Sequence, residues 1–205
     1  MGPRNKSPHL SVIISVINKS ATIQEIIKRV INSPEVNEIV ILNDGSTDGT
    51  GHIRNRYKNI EKMTVINLRT NQGRGMAVRT ALQNVKGDLI IIQDADLEYA
   101  PRDYPRMLQS IQKNNAEVVL GSRFLGEARR PIYFWNKVAN KIPVFVTNIP
   151  YNNILTDMGT GCKLFNREVV TSLNLKSKGF GIEPELTARL LKRGVPIVEA
   201  PIRLN

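Results

Sequence analysis

LIIIQDADLEYA, residues 89–100, sets four apolar side chains before three acids at alternate positions, Asp94, Asp96 and Glu98. A short run of β-branched and apolar residues reads as a strand buried on both faces. Side chains at i, i+2 and i+4 of a strand share one face. Continued in extended form, the chain would crowd three carboxylates together where the strand leaves the core. Carboxylates that close repel one another unless one is protonated or a cation neutralises them. The stretch therefore reads as the tip of a core strand bearing a site for a hard divalent cation, Mg2+ or Mn2+, whose shell substrate phosphates complete.

The same strand-then-polar-tip pattern recurs on either side. LSVIISVI (10–17), EIVILND (38–44), MTVINL (63–68) and EVVLGS (117–122) join DLIIIQD (88–94) as five buried strands. Between them lie helical patterns: TIQEIIKRVIN, with Thr22 and Glu25 spaced as a capping box; a stretch near 50–58; GRGMAVRTALQNV; and a helix opening at Pro101 and running to about Asn114. EPELTARLLKRG is a further helix near the C-terminus. Strands alternating with helices predict an α/β fold, a doubly wound, mostly parallel sheet flanked by helices. In such sheets ligands bind beyond the carboxyl ends of the strands, where NDGSTD, NQGRG, QDADLE and GSR all fall. After Arg123 the pattern loosens into a basic segment with Pro131, Pro143 and Pro150, followed by LTDMGTGCKLF.

Composition narrows the partners. The 205 residues suit one domain with a sizeable core, 41% of them apolar and 23% charged. Lys and Arg number 29 against 18 Asp and Glu, a net charge of +11, which favours polyanions: nucleic acid, anionic lipid surfaces or phosphorylated substrates. Aromatics make up 5% and are not interleaved with basic residues, which argues against nucleic acid. The longest apolar runs are too short to span a bilayer, and MGPRNKSPHL has no apolar core of a signal peptide. Cys162 is the single cysteine, so no intramolecular disulfide forms; a small buried side chain suits it better than a nucleophile.

Two motifs invite familiar readings that the residues do not sustain. NDGSTDGT (43–50) begins like a calcium loop, but Asn55 stands where the bidentate Glu belongs. NQGRG (71–75) before a helix, with Asp94 about 20 residues on, resembles a dinucleotide fingerprint; Val78 replaces its third glycine, and the acid belongs to a triplet. A nicotinamide oxidoreductase stays as the distant alternative. RRPIYFWNKVANK places Phe134 and Trp135 beside Arg129, Arg130, Lys137 and Lys141, which reads equally as a membrane-interface helix or as ordinary packing.

VIISVINKSATI, VILNDGSTDGT, NQGRGMAVRTAL, DLIIIQDADLEYAPRDYPRML, VVLGSRF, LTDMGTGCKLFNREVV and GIEPELTARLLKRG follow in that order along nearly the whole chain. Together they resemble family 2 glycosyltransferases of the GT-A fold, in the branch similar to polyprenyl-phosphate (dolichol-phosphate) mannosyl or glucosyl synthases. The resemblance implies one catalytic domain over 1–205, with a nucleotide-sugar-binding half at 8–125 and an acceptor-side half at 126–205. It implies an inverting transfer of a hexose from a GDP-mannose or UDP-glucose type donor to a polyprenyl phosphate, at the cytoplasmic face of a membrane that the protein meets peripherally. Asn18, Asp44, Gly45, Ser46, Asn71, Gly73, Gly75 and Asp94 would then bind the nucleotide-sugar, and Asp94, Asp96 and Glu98 the metal. Asp96, Arg123 and Asp157 would carry the transfer, Arg123 meeting the acceptor phosphate, with Asp157 and Glu183 in segments lining the acceptor side.

The chain departs from that pattern at the end of its first strand. Relatives there carry Pro, an aromatic and Glu; this sequence has Ser15, Ile17, Asn18 and Lys19, so a base stands where an acid helps hold the nucleotide. Relatives also continue beyond the final strand, where this chain stops at PIRLN, as a fragment or shortened member would. A family member with a glycan or soluble acceptor and a non-catalytic nucleotide-sugar-binding homologue are the nearer alternatives.

Overall fold

The structure, a computed structural model, describes residues 8–57, 59–125, 144 and 154–203. Among them are strands β1 (Leu10–Val16), β2 (Val36–Asn43), β3 (Met63–Asn67), β4 (Leu89–Asp94), β5 (Val118–Ser122), β6 (Cys162–Asn166) and β7 (Ile197–Pro201). Helices α1 (Ile23–Ile31), α2 (Ile53–Arg56), α3 (Arg74–Leu82), α4 (Tyr104–Lys113), α5 (Arg167–Ser172) and α6 (Ile182–Lys192) connect or cover them. The strands form one sheet in the order β3-β2-β1-β4-β6-β5-β7. β1 pairs in parallel with β2 and β4, β2 with β3, and β5 with β7.

Alternation along the strands divides the core in two. Leu10, Val12, Ile14 and Val16 of β1 face one side, where Ile23, Ile26, Ile27 and Val30 of α1 and Met107 and Ile111 of α4 cover them. Ile13 and its neighbours Val40, Leu42, Ile90 and Ile92 face the other, under Ala77, Val78 and Ala81 of α3 and Leu186 and Leu190 of α6. The i, i+3, i+4, i+7 spacing of the α1 isoleucines and valine is the stripe a helix needs to sit on such a face. Small residues on α3 let its backbone lie close to the sheet.

Two strands lie outside the five expected: β7, at one edge of the sheet, and β6, which lies between β4 and β5 and runs antiparallel to both. The five-residue run CKLFN carries a lysine at its second position and follows a glycine-rich stretch, so apolar continuity did not flag it as a strand. The capping box expected at α1 does not form, since Thr22 Oγ1 donates to the Ala95 carbonyl at 2.9 Å and Glu25 pairs with Arg29 at 2.8 Å. Thr22 thus ties the start of α1 to the loop after β4 instead of closing its own helix end. The segment 126–143, with Phe134, Trp135 and its basic residues, lies outside the described residues. Among the described residues no helix is long and apolar enough to cross a membrane.

Candidate active site

Strand register decides which side chains can meet. Ser15 lies opposite Asp94 across β1 and β4, and Val16 opposite Asn43 across β1 and β2. The loops leaving these three strands, 17–22, 44–50 and 95–100, therefore spring from adjacent tips. Because β6 is antiparallel, its beginning lies at this same edge, and Asp94 N donates to the Gly161 carbonyl at 3.0 Å.

The first two loops are fastened together. Asn18 N donates to Ser46 Oγ at 2.9 Å, Thr47 N to Asn18 Oδ1 at 2.9 Å, Lys19 N to Thr50 Oγ1 at 3.0 Å and Ser20 N to Asp48 Oδ2 at 3.0 Å. Asn18 adopts φ 48°, a left-handed conformation that asparagine tolerates better than most residues. Asp48, the would-be calcium ligand, instead accepts from the Thr50 hydroxyl, Ser20 and the Thr50 backbone, which hold its carboxyl well below the usual range. This network fixes Lys19 in the wall of the cleft below.

Asp44 follows β2 and is buried, its Oδ1 accepting from Gln72 N at 2.8 Å and its Oδ2 from Gly73 N at 2.9 Å. Asn71 Oδ1 takes the same Gly73 N–H at 2.9 Å. Asp44 and Asn71 thus shape the loop that opens α3, while Gly45 sits in the turn after β2 with φ 69°. Gly73 caps α3 and Gly75 lies in its first turn. A Cβ on Gly75 would overlap the Ser177 carbonyl oxygen and stand 2.9 Å from its carbon, so the loop before α6 packs backbone to backbone on α3.

Between these two glycines stands Arg74, which the sequence reading did not single out. Its Nη2 meets Asp94 Oδ1 at 2.5 Å and its Nε meets Glu183 Oε1 at 3.0 Å. Glu183 bonds in turn to Lys163 Nζ, which also reaches the Thr160 carbonyl. Lys163 is 1% exposed, on β6. The result is a chain of alternating charge, Lys163–Glu183–Arg74–Asp94. Burial works against the Glu183 carboxylate, yet Lys163 and Arg74 outweigh it and hold the group below its ordinary value. Burial dominates at Asp94, pushing its carboxyl up against the pull of Arg74. Asp96 is also pushed up, by burial and then by Glu98, with Lys19 and Arg74 opposing. A charged residue inside the short run CKLF was the one sequence signal for this chain, since a buried lysine requires a partner.

The three-carboxylate group expected from alternation does not form. β4 ends at Asp94, and residues 95–99 bend and turn, so Asp96 and Glu98 are not on strand positions. Glu98 is exposed. Among the described residues no three His, Cys, Asp or Glu side chains gather to hold a metal. What remains is a pair, Asp94 and Asp96, in the wall of a cleft of about 320 Å³ that Ser15, Ile17, Lys19, Asp44, Asn71, Gly73, Arg74 and Phe180 also line. Asp94 fits there because Gly161 lacks a side chain; a Cβ would overlap Asp94 Oδ2. A second cavity, about 500 Å³, is lined by α3 and α5 residues including Met76, Arg79 and Val170, with no carboxylate in its wall.

Arg123 and Asp157 meet at the tip of β5, on the same edge of the sheet as the tip of β4. The guanidinium forks onto the carboxylate, Nε to Oδ2 at 2.7 Å and Nη2 to Oδ1 at 2.8 Å, and Arg123 N adds a third contact at 3.1 Å. Asp157 is fully buried. Its backbone N–H and that of Thr156 donate to Glu199 of β7, another acid that sequence reading passed over. The bond to Asp157 raises the Arg123 pKa further against the effect of burial, so its charge is permanent. Cys162 is buried, and burial pushes its thiol up to about 12, which suits packing and not nucleophilic work.

Comparison with known proteins agrees with this fold. The curated dolichol-phosphate mannosyltransferase of Pyrococcus furiosus is 28% identical over 182 residues, 86% of this chain and 51% of that protein. The low-salt glycan biosynthesis hexosyltransferase Agl6 of Haloferax volcanii is 26% identical over 203 residues, 96% of this chain and 48% of that protein. The chain thus spans about half the length of these curated relatives. Among solved structures, glucosyl-3-phosphoglycerate synthase of Mycobacterium tuberculosis, crystallised with Mn2+, UDP and glucosyl-3-phosphoglycerate, superposes with TM-score 0.76 at 20% identity, over 96% of this chain and 71% of that one. The mannosyltransferase PcManGT of Pyrobaculum calidifontis, crystallised with GDP-Man and Mn2+, gives 0.70 at 19%, over 97% and 58%. The sheet described above is the GT-A fold of these structures. The description Glycosyl transferase family 2 matches residues 11–173, and the chain belongs to that family.

Proposed function

We propose that this protein transfers a hexose from a nucleotide-sugar, of the GDP-mannose or UDP-glucose type, to a polyprenyl phosphate, inverting the anomeric carbon without a covalent intermediate. The observation that carries the reading is the cleft itself: Asp94, Asp96 and Arg74 line it together, and the Arg123–Asp157 fork lies on the same edge of the sheet. The acids supply hard oxygen donors of the kind Mg2+ or Mn2+ takes when one or two carboxylates are completed by water and phosphate. Asp94 and Asp96 would hold that ion, with Asp94 giving one oxygen to Arg74 and Asp96 carrying a contact from Glu98 N at 3.4 Å. Bound there, the metal would neutralise charge on the departing nucleoside diphosphate.

The chain's own residues supply the rest. Arg74, in the wall of the same cleft, would offer a permanent positive charge to the diphosphate, where negative charge grows as the glycosidic bond breaks. Lys19 adds a second cation to the same wall. Arg123, 21% exposed and fixed by Asp157, is the group assigned to the acceptor phosphate, which Arg binds with matched geometry. Such an acceptor is already an anion and attacks without a strong general base. The net charge of +11 and the name of the Pyrococcus relative support an anionic lipid acceptor and a peripheral position on the cytoplasmic membrane face.

The test is transfer of labelled mannose or glucose to a short-chain polyprenyl phosphate in vesicles, run beside phosphoglycerate and a neutral glycan. Lipid-linked product in the first arm supports the reading. Product with phosphoglycerate or glycan and none with lipid assigns the acceptor to that class instead. Tight nucleotide-sugar binding with no transfer in any arm makes the protein a binding homologue.

A further inference from the structure

Arg74 is held at two ends by carboxylates of different kinds. Its Nε bonds to Glu183, which Lys163 clamps from the far side, while its Nη2 bonds to Asp94 in the cleft wall. The Glu183 end sits in a neutralised, closed network. The Asp94 end opens on the space where a donor would bind, and Asp94 is one of the acids fit to hold a divalent ion. A guanidinium and a dication cannot share that carboxylate without repelling each other. The arginine that neutralises Asp94 therefore competes with the metal for it. A diphosphate resolves the conflict, because it brings negative charge enough for both cations.

From this we propose that Arg74 is a built-in counter-ion for Asp94 that, pivoting on its Glu183 bond, exchanges Asp94 for the donor's diphosphate when metal and nucleotide bind together. The inference rests on the nucleotide-sugar reading above and adds a positioning role to it. The exchange makes metal and nucleotide binding mutually dependent: each alone meets an unfavourable charge, and each removes the obstacle to the other. By linkage the coupling is reciprocal, so it is readable from either ligand.

The consequence has opposite signs for the two ligands. Arg74→Gln keeps a polar side chain but removes the competing charge, so Mn2+ without nucleotide should bind about three- to tenfold tighter. The same variant lacks the phosphate contact, so GDP or UDP at saturating Mn2+ should bind about tenfold weaker or worse. Mn2+ affinity is read from the electron paramagnetic resonance of the free ion and nucleotide affinity from calorimetry, both on the whole protein and without any turnover. Arg74→Lys keeps the charge and loses the fork, so it should leave Mn2+ binding near the wild-type value while weakening the nucleotide; it carries the test should Arg74→Gln lose its thermal transition. Unchanged or weaker Mn2+ binding in Arg74→Gln overturns the inference, as does unchanged nucleotide affinity in either variant. A wild-type protein that binds neither Mn2+ nor a nucleoside diphosphate overturns the functional reading first and this inference with it.

Discussion

Replacing Lys163 by methionine keeps most of the buried aliphatic stem and removes one charge from the Lys163–Glu183–Arg74–Asp94 chain. The Lys163 side chain is 2% exposed and that of Glu183 20%, so the pair is poorly screened. Removing one partner of such a pair costs about 3–5 kcal/mol when the other is stranded. Glu183 is not stranded by Lys163→Met, because Arg74 still holds it at 3.0 Å. The expected loss is accordingly below that range, about 2 kcal/mol. Glu183→Gln leaves Lys163 buried against the Thr160 carbonyl and a neutral amide, and frees one end of Arg74. That change should cost more, about 4 kcal/mol, and still leave a folded domain if the starting stability lies in the usual range of about 5–15 kcal/mol. Combining the two removes a cation and an anion together. The double variant should lose about 3 kcal/mol, not the sum of about 6, giving a coupling of about 3 kcal/mol. Urea unfolding of the four proteins by circular dichroism measures the cycle. Additive losses, or Lys163→Met costing more than Glu183→Gln, would refute the alternating-charge account of this region.

Other outcomes follow from the site's construction. Gly75→Ala forces a Cβ against the backbone of Ser177 and Lys178, and should destabilise the fold by about 1–3 kcal/mol while weakening nucleotide binding; a wild-type melting temperature would mean the two loops are not in close contact. Glu185 accepts from Ser177 and Lys176 and pairs with Arg189, which together outweigh burial and hold its carboxyl down to about 2 from the ordinary 4.5. A depressed carboxyl stabilises above the unfolded value, so the stability advantage of the wild type over Glu185→Gln should be full at pH 6 and fade between pH 4.5 and 2; a difference independent of pH would remove the charge from the explanation. Lys19→Glu exchanges a cation near Asp96 for an anion and should tighten Mn2+ without nucleotide by about three- to tenfold. Equal affinity would place that ammonium away from the acids.

Five strands were legible because they are apolar runs with polar tips, so Asp44, Asp94 and Arg123 could be assigned to one edge without coordinates; β7, IVEAP, is broken by Glu199 and gave no such run. Nor was β6 legible, because an antiparallel strand of five residues with a buried lysine has no apolar run to announce it. Its insertion brings Gly161 against Asp94 and Asp157 against Arg123, contacts across 67 and 34 residues of chain that periodicity cannot register. The third acid was misplaced for a related reason: alternation holds only while the chain stays extended, and it stops at Asp94. Arg74 lies between the two glycines that made NQGRG resemble a dinucleotide fingerprint, and nothing in that pattern gives its side chain a role. Only when Glu183 and Asp94 are seen to converge on it does its charge acquire a role.

Titrating GDP and UDP into the wild type and Asp96→Asn, with and without Mn2+, tests the central claim most directly. Asp96 lines the cleft, makes no ion pair among the described residues, and can lose its charge without stranding a partner. The account predicts nucleoside diphosphate binding to the wild type that strengthens by about tenfold or more when Mn2+ is added, and an Asp96→Asn protein with an unchanged melting temperature that has lost this dependence. The same Mn2+ dependence in both proteins would contradict it.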